Sequence, residues 1–216
     1  MVMYDGWMPP DATDTKRRLM KAAIAEFAQY GLAGARVDRI AETAAANKRS
    51  IYMHFGTKEE LFDKVLADTF LNLAASITFG DDHLVGYAGD LYDQLEKKPY
   101  IQRLYLWAGL EREQAFGPEI AGYRARVVSI ASAQEAGLVR DDIPPAELMA
   151  MVIALVISWD SAAPSLRALG PEFGPGSHIA RRSAVIAAVA GLVQPPGPRP
   201  PKRAQRSRAN AGSDRL

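Results

Sequence analysis

The stretch NKRSIYMHF, residues 47–55, concentrates groups that suit a polyanion and that a helix does not need. Arg49 can pair bidentately with guanine, and Lys48 can reach a guanine edge or a phosphate. Ser50, Tyr52 and His54 can donate to phosphate oxygens, and Met53 can touch a thymine methyl. Ile51 and Phe55 stand four apart, so both fit a face packed on other helices. Asn47 is a good N-cap and leaves the first amides of the helix directed at whatever lies ahead. Lys58 falls in the first turn of the following helix, where the helix dipole disfavours a cation but a neighbouring phosphate favours it.

Positioning such a segment requires helices on either side. Val37, Ile40, Ala41 and Ala44 share one face of a short helix at about 37–44, and about three residues separate it from the helix at 48–54. Two short helices so joined form a helix-turn-helix, whose second helix enters the major groove. On pattern alone, a small helical hairpin with a solvated basic face fits as well. Before it, Leu19, Ala22, Ala23, Phe27 and Ala28 mark a helix at about 15–30, with Gly31 at the C-cap position. After it, TKEE (57–60) matches a capping box, and Leu61, Val65, Leu66, Phe70, Leu73 and Ile77 continue as an apolar stripe to near Gly80.

The remainder also reads as helices, at about 84–97, 100–114 and 118–136, with Pro99 and Pro118 at helix starts and Gly137 at a helix end. Pro144 and Pro145 open AELMAMVIALVISWDSA, which is apolar on nearly all sides and so belongs in a large core or a subunit interface. Residues 165–176 read as a loop with at most one turn, and Ser177 can cap a last helix to about Val193. Alternating β-branched runs, a Rossmann glycine signature and internal repeats are absent from the sequence, so the expected fold is all-α.

The formal net charge of +1 over 216 residues hides an asymmetry: residues 1–64 carry +1, residues 65–193 carry −5 and residues 194–216 carry +5. The acidic middle argues against a general polyanion-binding surface there. The Pro-rich basic tail has too few apolar residues to order itself; it is either a solvated tail or a non-specific DNA clamp. With no cysteine there is no disulfide framework, thiolate metal site or Cys nucleophile. The N-terminus lacks a basic segment followed by an apolar run, and 148–158 is shorter than the roughly 20 residues a membrane span needs, so a cytoplasmic protein is expected.

From Thr15 to Leu66 the chain resembles the DNA-binding domain of the TetR family of bacterial transcription regulators. AAIAEFAQYG, RVDRIAE, SIYMHF and TKEELF carry the resemblance, in the family's order and spacing. It implies a homodimer of all-α subunits: an N-terminal three-helix helix-turn-helix domain, then a helical ligand-binding and dimerisation domain. The corresponding divisions are a flexible N-terminus at 1–12, the DNA-binding domain at 13–57, the ligand and dimerisation domain at 58–193, and a disordered tail at 194–216. Such proteins usually repress until a small molecule releases them from a palindromic operator on double-stranded DNA. Carried over by position, Lys48, Arg49, Ser50, Tyr52 and Met53 meet the groove, His54 and Lys58 touch the backbone, and Arg36 lies near a flanking phosphate. Asp38 can also face the groove and accept from cytosine. The family's Ala-Gly-Val-Ser turn is here Ala44-Ala45-Ala46-Asn47, and an Ala at the Gly position is strained if φ is positive there. The usual Thr before the second helix is Arg36, which gives up a cap.

In the second domain Trp107, Glu111, Phe116, Tyr123 and Trp159 are candidates for a ligand pocket, with Arg126 able to orient a ligand; for any single aromatic a core position is the simpler reading. The helices at about 145–162 and 177–193 are expected to pair with their copies as a four-helix bundle. No cofactor or metal is expected: the three histidines lie far apart, and the adjacent residues of DDH (81–83) cannot converge on one ion. Three functions remain in order: a ligand-released repressor, a ligand-independent or architectural DNA-binding protein and, distantly, an enzyme.

Overall fold

A computed structural model describes residues 12–77, 84–112, 115, 117–174 and 176–196. The described residues form helices α1 (Ala12–Gly34), α2 (Val37–Thr43), α3 (Lys48–Phe55), α4 (Lys58–Ala75) and α5 (Leu84–Lys97). They continue as α6 (Tyr100–Glu111), α7 (Gly117–Glu135), α8 (Pro145–Ile157), α9 (Pro164–Phe173) and α10 (His178–Val193). The fold is all-α. The expectations for residues 1–11, for DDH at 81–83, for Phe116 and for the tail beyond 196 lie outside the described residues.

Two apolar cores organise the described residues. The first gathers Leu19 and Phe27 of α1, Ile40 of α2, Ile51 and Phe55 of α3 and Leu61 and Phe62 of α4, and it also takes in Leu104 and Ala108 of α6. Phe27 and Phe62 meet at 4.9 Å between ring centroids, tilted by 55°. The second core joins α5, α6, α8 and α10 around Ala88, Ile101, Leu148, Val152 and Val189, with Ile130 from α7. Tyr100 packs against both.

Local signals set several boundaries. Thr57 Oγ1 accepts from the Glu60 amide at 3.1 Å and Glu60 Oε2 accepts from the Thr57 amide at 2.7 Å, which completes the capping box of α4. Ser177 accepts from Ala180 at the start of α10. Gly31 adopts a left-handed backbone (φ 68°) that breaks α1, and the chain then continues helically to Gly34 rather than stopping at residue 30.

The expected loop at 165–176 is instead mostly helix. Pro164 sits in the first turn, where its fixed φ favours a helix and its missing amide is no loss. Pro171 removes one helical hydrogen bond, but α9 buries no residue, so water can solvate the freed carbonyl.

Candidate DNA-binding face and ligand cavity

Asn47 Oδ1 accepts from the Arg49 amide at 2.8 Å and so starts α3 as a capped helix. Lys64 Nζ closes the other end by donating to the Phe55 carbonyl at 3.3 Å. Ile51 and Phe55 are buried, which turns the opposite face outward. On that face Tyr52 and Met53 keep 50% and 71% of their surface, large exposures for residues of this kind. Lys48 and Arg49 are exposed and Ser50 is half-buried. His54 is half-buried, with its ring edge-on to Phe55 at 6.2 Å.

Asp38 of α2 and Lys48 of α3 form an ion pair at 2.8 Å, with 62% and 47% of their side chains exposed. The hydrogen bond from Lys48 lowers the carboxyl pKa, and the same bond raises that of the ammonium. The pair also offsets the unfavourable position of a cation in the first turn of α3. Lys58 is half-buried and donates to the Ala35 carbonyl at 3.4 Å.

Two charges, the buried Glu26 and the half-buried Arg18, hold this face together, and sequence reasoning missed both. Glu26 accepts from the Arg36 amide at 2.8 Å and so ties down the N-cap residue of α2, whose own side chain makes no cap bond. Its carboxylate also pairs with Arg39, 2.6 Å from Nη2, while the Arg39 guanidinium lies over the Tyr30 ring at 4.2 Å. The available signal was its position: an acid on the apolar stripe of α1, one turn after Ala22 and Ala23, must find a partner when buried. Arg18 donates to the Ala44 carbonyl at 2.7 Å and to the Ala45 carbonyl at 3.2 Å, clamping the turn. Ala45 has φ of 47°, the positive value at which glycine is preferred.

A cavity of about 180 Å³ lies among α4–α8. Phe70, Leu73, Leu91, Ile101, Ile153 and Ile157 supply apolar wall, and Gln102, Tyr105, Tyr123 and Arg126 supply polar groups. Burial pushes the Tyr105 phenol far up and the Tyr123 phenol up to about 12, so both stay neutral at ordinary pH. The Tyr105 hydroxyl is buried without a hydrogen-bond partner. Gly122 lets α7 approach closely, since a Cβ there would stand 2.5 Å from the Phe70 ring.

Tyr123 and Arg126 therefore reach the cavity, whereas Trp107, Glu111 and Trp159 do not line it. Trp107 and Glu111 share a face of α6, but that face meets α1. A Cβ on Gly31 would come within 2.7 Å of the Trp107 ring, and Glu111 accepts from the Leu32 amide and from the Ala33 amide, the latter at 3.1 Å. Trp159 stacks near the Arg181 guanidinium, 5.3 Å from its centroid, and packs on Gly170. Among the described residues no group of acidic, His or Cys side chains can hold a metal, and no helix is long and apolar enough to cross a membrane.

Residues 19–65 match the model for bacterial regulatory proteins of the tetR family, and residues 83–190 match a tetracyclin repressor-like C-terminal domain. The HTH-type transcriptional repressor SCO4008 of Streptomyces coelicolor is 38% identical over 161 residues, covering 73% of this chain and 83% of the relative. The chain belongs to the TetR family. It is a DNA-binding transcriptional regulator. The HTH-type repressor NicS of Pseudomonas putida is 26% identical over 166 residues, covering 69% of this chain and 77% of that one. The crystal structure of SCO4942 from Streptomyces coelicolor superposes with a TM-score of 0.75 at 31% identity, covering 83% of this chain and 98% of that chain. Against the TetR pattern, the departure at the turn has a visible cost, because Ala45 stands at the Gly position with a positive φ.

Proposed function

We propose that the protein is a dimeric repressor that a small, mainly apolar molecule releases from a palindromic operator. The observation that carries this reading is the two-sidedness of α6. Ile101, Gln102, Tyr105 and Leu106 line the cavity, while Arg103, Trp107 and Glu111 grip α1. Arg103 donates to the Ala28 carbonyl at 2.7 Å and Glu111 takes the amides beyond Gly31, so both sides of the break in α1 are held by one helix. A ligand that displaces α6 by binding to the cavity must move or strain the base of the DNA-binding domain. Only its differential affinity for the two arrangements can drive that change.

Arg49, Lys48, Ser50, Tyr52 and Met53 are the proposed groove contacts, and Arg36, His54 and Lys58 the proposed phosphate contacts. An α3 of eight residues reads few bases, so a second copy in a successive major groove supplies affinity and register. The dimer surface we assign is the outer side of α8 and α10. Ala150, Met151 and Ala154 of α8 and Ala184, Ala187 and Gly191 of α10 are exposed and mostly small, which permits close helix approach. Leu166, Leu169 and Phe173 of α9 extend that exposed apolar surface.

The test is selection of bound fragments from genomic DNA by purified protein at physiological salt. Recovery of a short palindrome, bound by two chains per site, is the expected result. Recovery of unselected fragments would put the architectural reading first. Release of the operator by small apolar compounds, lost when Ile153→Trp fills the cavity, would support the effector role.

A further inference from the structure

The charged pair on the reading face has the geometry of a base-pair edge. In a G·C pair, cytosine N4 is a donor and guanine O6 an acceptor, side by side in the major groove. They are joined by one N–H···O hydrogen bond, so they lie about 2.9 Å apart. Asp38 Oδ1 and Lys48 Nζ are 2.8 Å apart, an acceptor and a donor at matching spacing. Both side chains are largely exposed, one from the first turn of α2 and one from the first turn of α3, so neither core holds them back. Arg36 acts electrostatically on both members of the pair, and Tyr52, one turn beyond Lys48, acts on the ammonium.

We propose that Asp38 and Lys48 act as one unit that reads a G·C base pair, the carboxylate accepting from cytosine N4 and the ammonium donating to guanine O6 and N7. The inference rests on the proposed docking of α3 in the major groove. An A·T pair offers a similar donor and acceptor, adenine N6 and thymine O4, but gives the ammonium only one acceptor on the thymine side, next to the C5 methyl group. A bare carboxylate beside DNA would repel phosphates. Preformed pairing with Lys48 makes Asp38 tolerable at this surface and aims it at a base donor rather than at the backbone. The same pairing lowers the attraction of Lys48 for any phosphate it meets, so non-specific binding weakens more than binding at the matched base pair.

The experiment is binding-site selection with the full chain, comparing wild type, Asp38→Asn and Asp38→Ala, with melting curves to show that both variants fold. Wild type is expected to require G·C at one position of each half-site, by about tenfold over the alternatives. Asp38→Asn is expected to move that position towards A·T, because an amide pairs with adenine N6 and N7, and Asp38→Ala to make it degenerate. All other positions keep their preference. If both variants recover the wild-type motif unchanged, Asp38 only tunes the local field and the proposal is overturned. A wild-type preference for A·T at the position that Asp38→Ala relaxes would overturn the G·C assignment. If wild type selects no motif at all, the operator reading itself fails, an outcome distinct from the other two.

Discussion

The Glu111 carboxylate, at the last residue of α6, accepts from the Ala33 amide of α1 at 3.1 Å and also from the Leu32 amide, just beyond the left-handed Gly31. These two amides have lost their helical acceptors at the break, and a residue 78 positions away in sequence supplies the replacement. Glu111→Ala leaves both without it and is expected to cost about 2 kcal/mol, the scale of a charge-assisted hydrogen bond removed from a partly buried donor. Glu111→Gln keeps an acceptor oxygen and should lose less. Urea denaturation of the two variants measures the difference, and equal midpoints for wild type and Glu111→Ala would show that the contact is energetically idle.

Ala45 is strained where the TetR pattern has glycine, so Ala45→Gly should stabilise the protein. A left-handed backbone costs a non-glycine residue about 1–2 kcal/mol, from which the greater chain entropy of glycine is subtracted, leaving roughly 1 kcal/mol of gain. A rise in the melting temperature checks this. An unchanged or lower melting temperature would mean that the Arg18 clamp on the Ala44 and Ala45 carbonyls already absorbs the strain.

On the reading face, Arg49 and Tyr52 make no side-chain contribution to the core, so their alanine variants should melt like wild type. Arg49→Ala should weaken the operator more than random DNA if the guanidinium meets a base, by about tenfold or more. Tyr52→Ala should weaken the operator more than random DNA if its ring meets the groove, and both by a similar factor if its hydroxyl meets phosphate instead. Fluorescence anisotropy on operator and scrambled duplexes separates the two. Lys58→Ala tests something else, because this side chain holds the Ala35 carbonyl in the free protein and its loss should also lower stability slightly.

The cavity phenols predict a loss of stability at alkaline pH. Burial raises the folded-state pKa of Tyr123 to about 12 and that of Tyr105 further, while an unfolded tyrosine ionises near ~10. Their contribution is fully present below about pH 10 and is lost as the pH rises through the folded values, because the unfolded chain releases these protons first. Phenolate absorbance should therefore rise in two stages, the second coinciding with loss of helical circular dichroism. Tyr105→Phe, which removes a buried hydroxyl with no hydrogen-bond partner, should leave the protein as stable or about 1 kcal/mol more stable at neutral pH.

Much of the fold is written in local spacing, and local spacing was enough for it. The 3.6-residue periodicity of Leu19, Ala23 and Phe27 determines a helix face whatever it later meets, and so do the caps at Asn47, Thr57 and Ser177, whose partners lie two or three residues away. The helix-turn-helix stretch was legible for the same reason, since its recognition helix carries its cap, buried face and exposed chemistry within nine residues. Tertiary structure alone decided which face of α6 meets the cavity. Trp107 and Glu111 share a face by spacing, yet spacing cannot say whether α1 or a ligand lies opposite. It also decided that Glu26 caps α2 from another helix and that Asp38 and Lys48 meet at 2.8 Å, because a hydrogen bond or ion pair between elements depends on how their axes cross. The helix at Pro164–Phe173 was hidden by Gly170 and Pro171, whose intrinsic preferences oppose a helix but are overcome by a favourable proline start and solvent along most of its length.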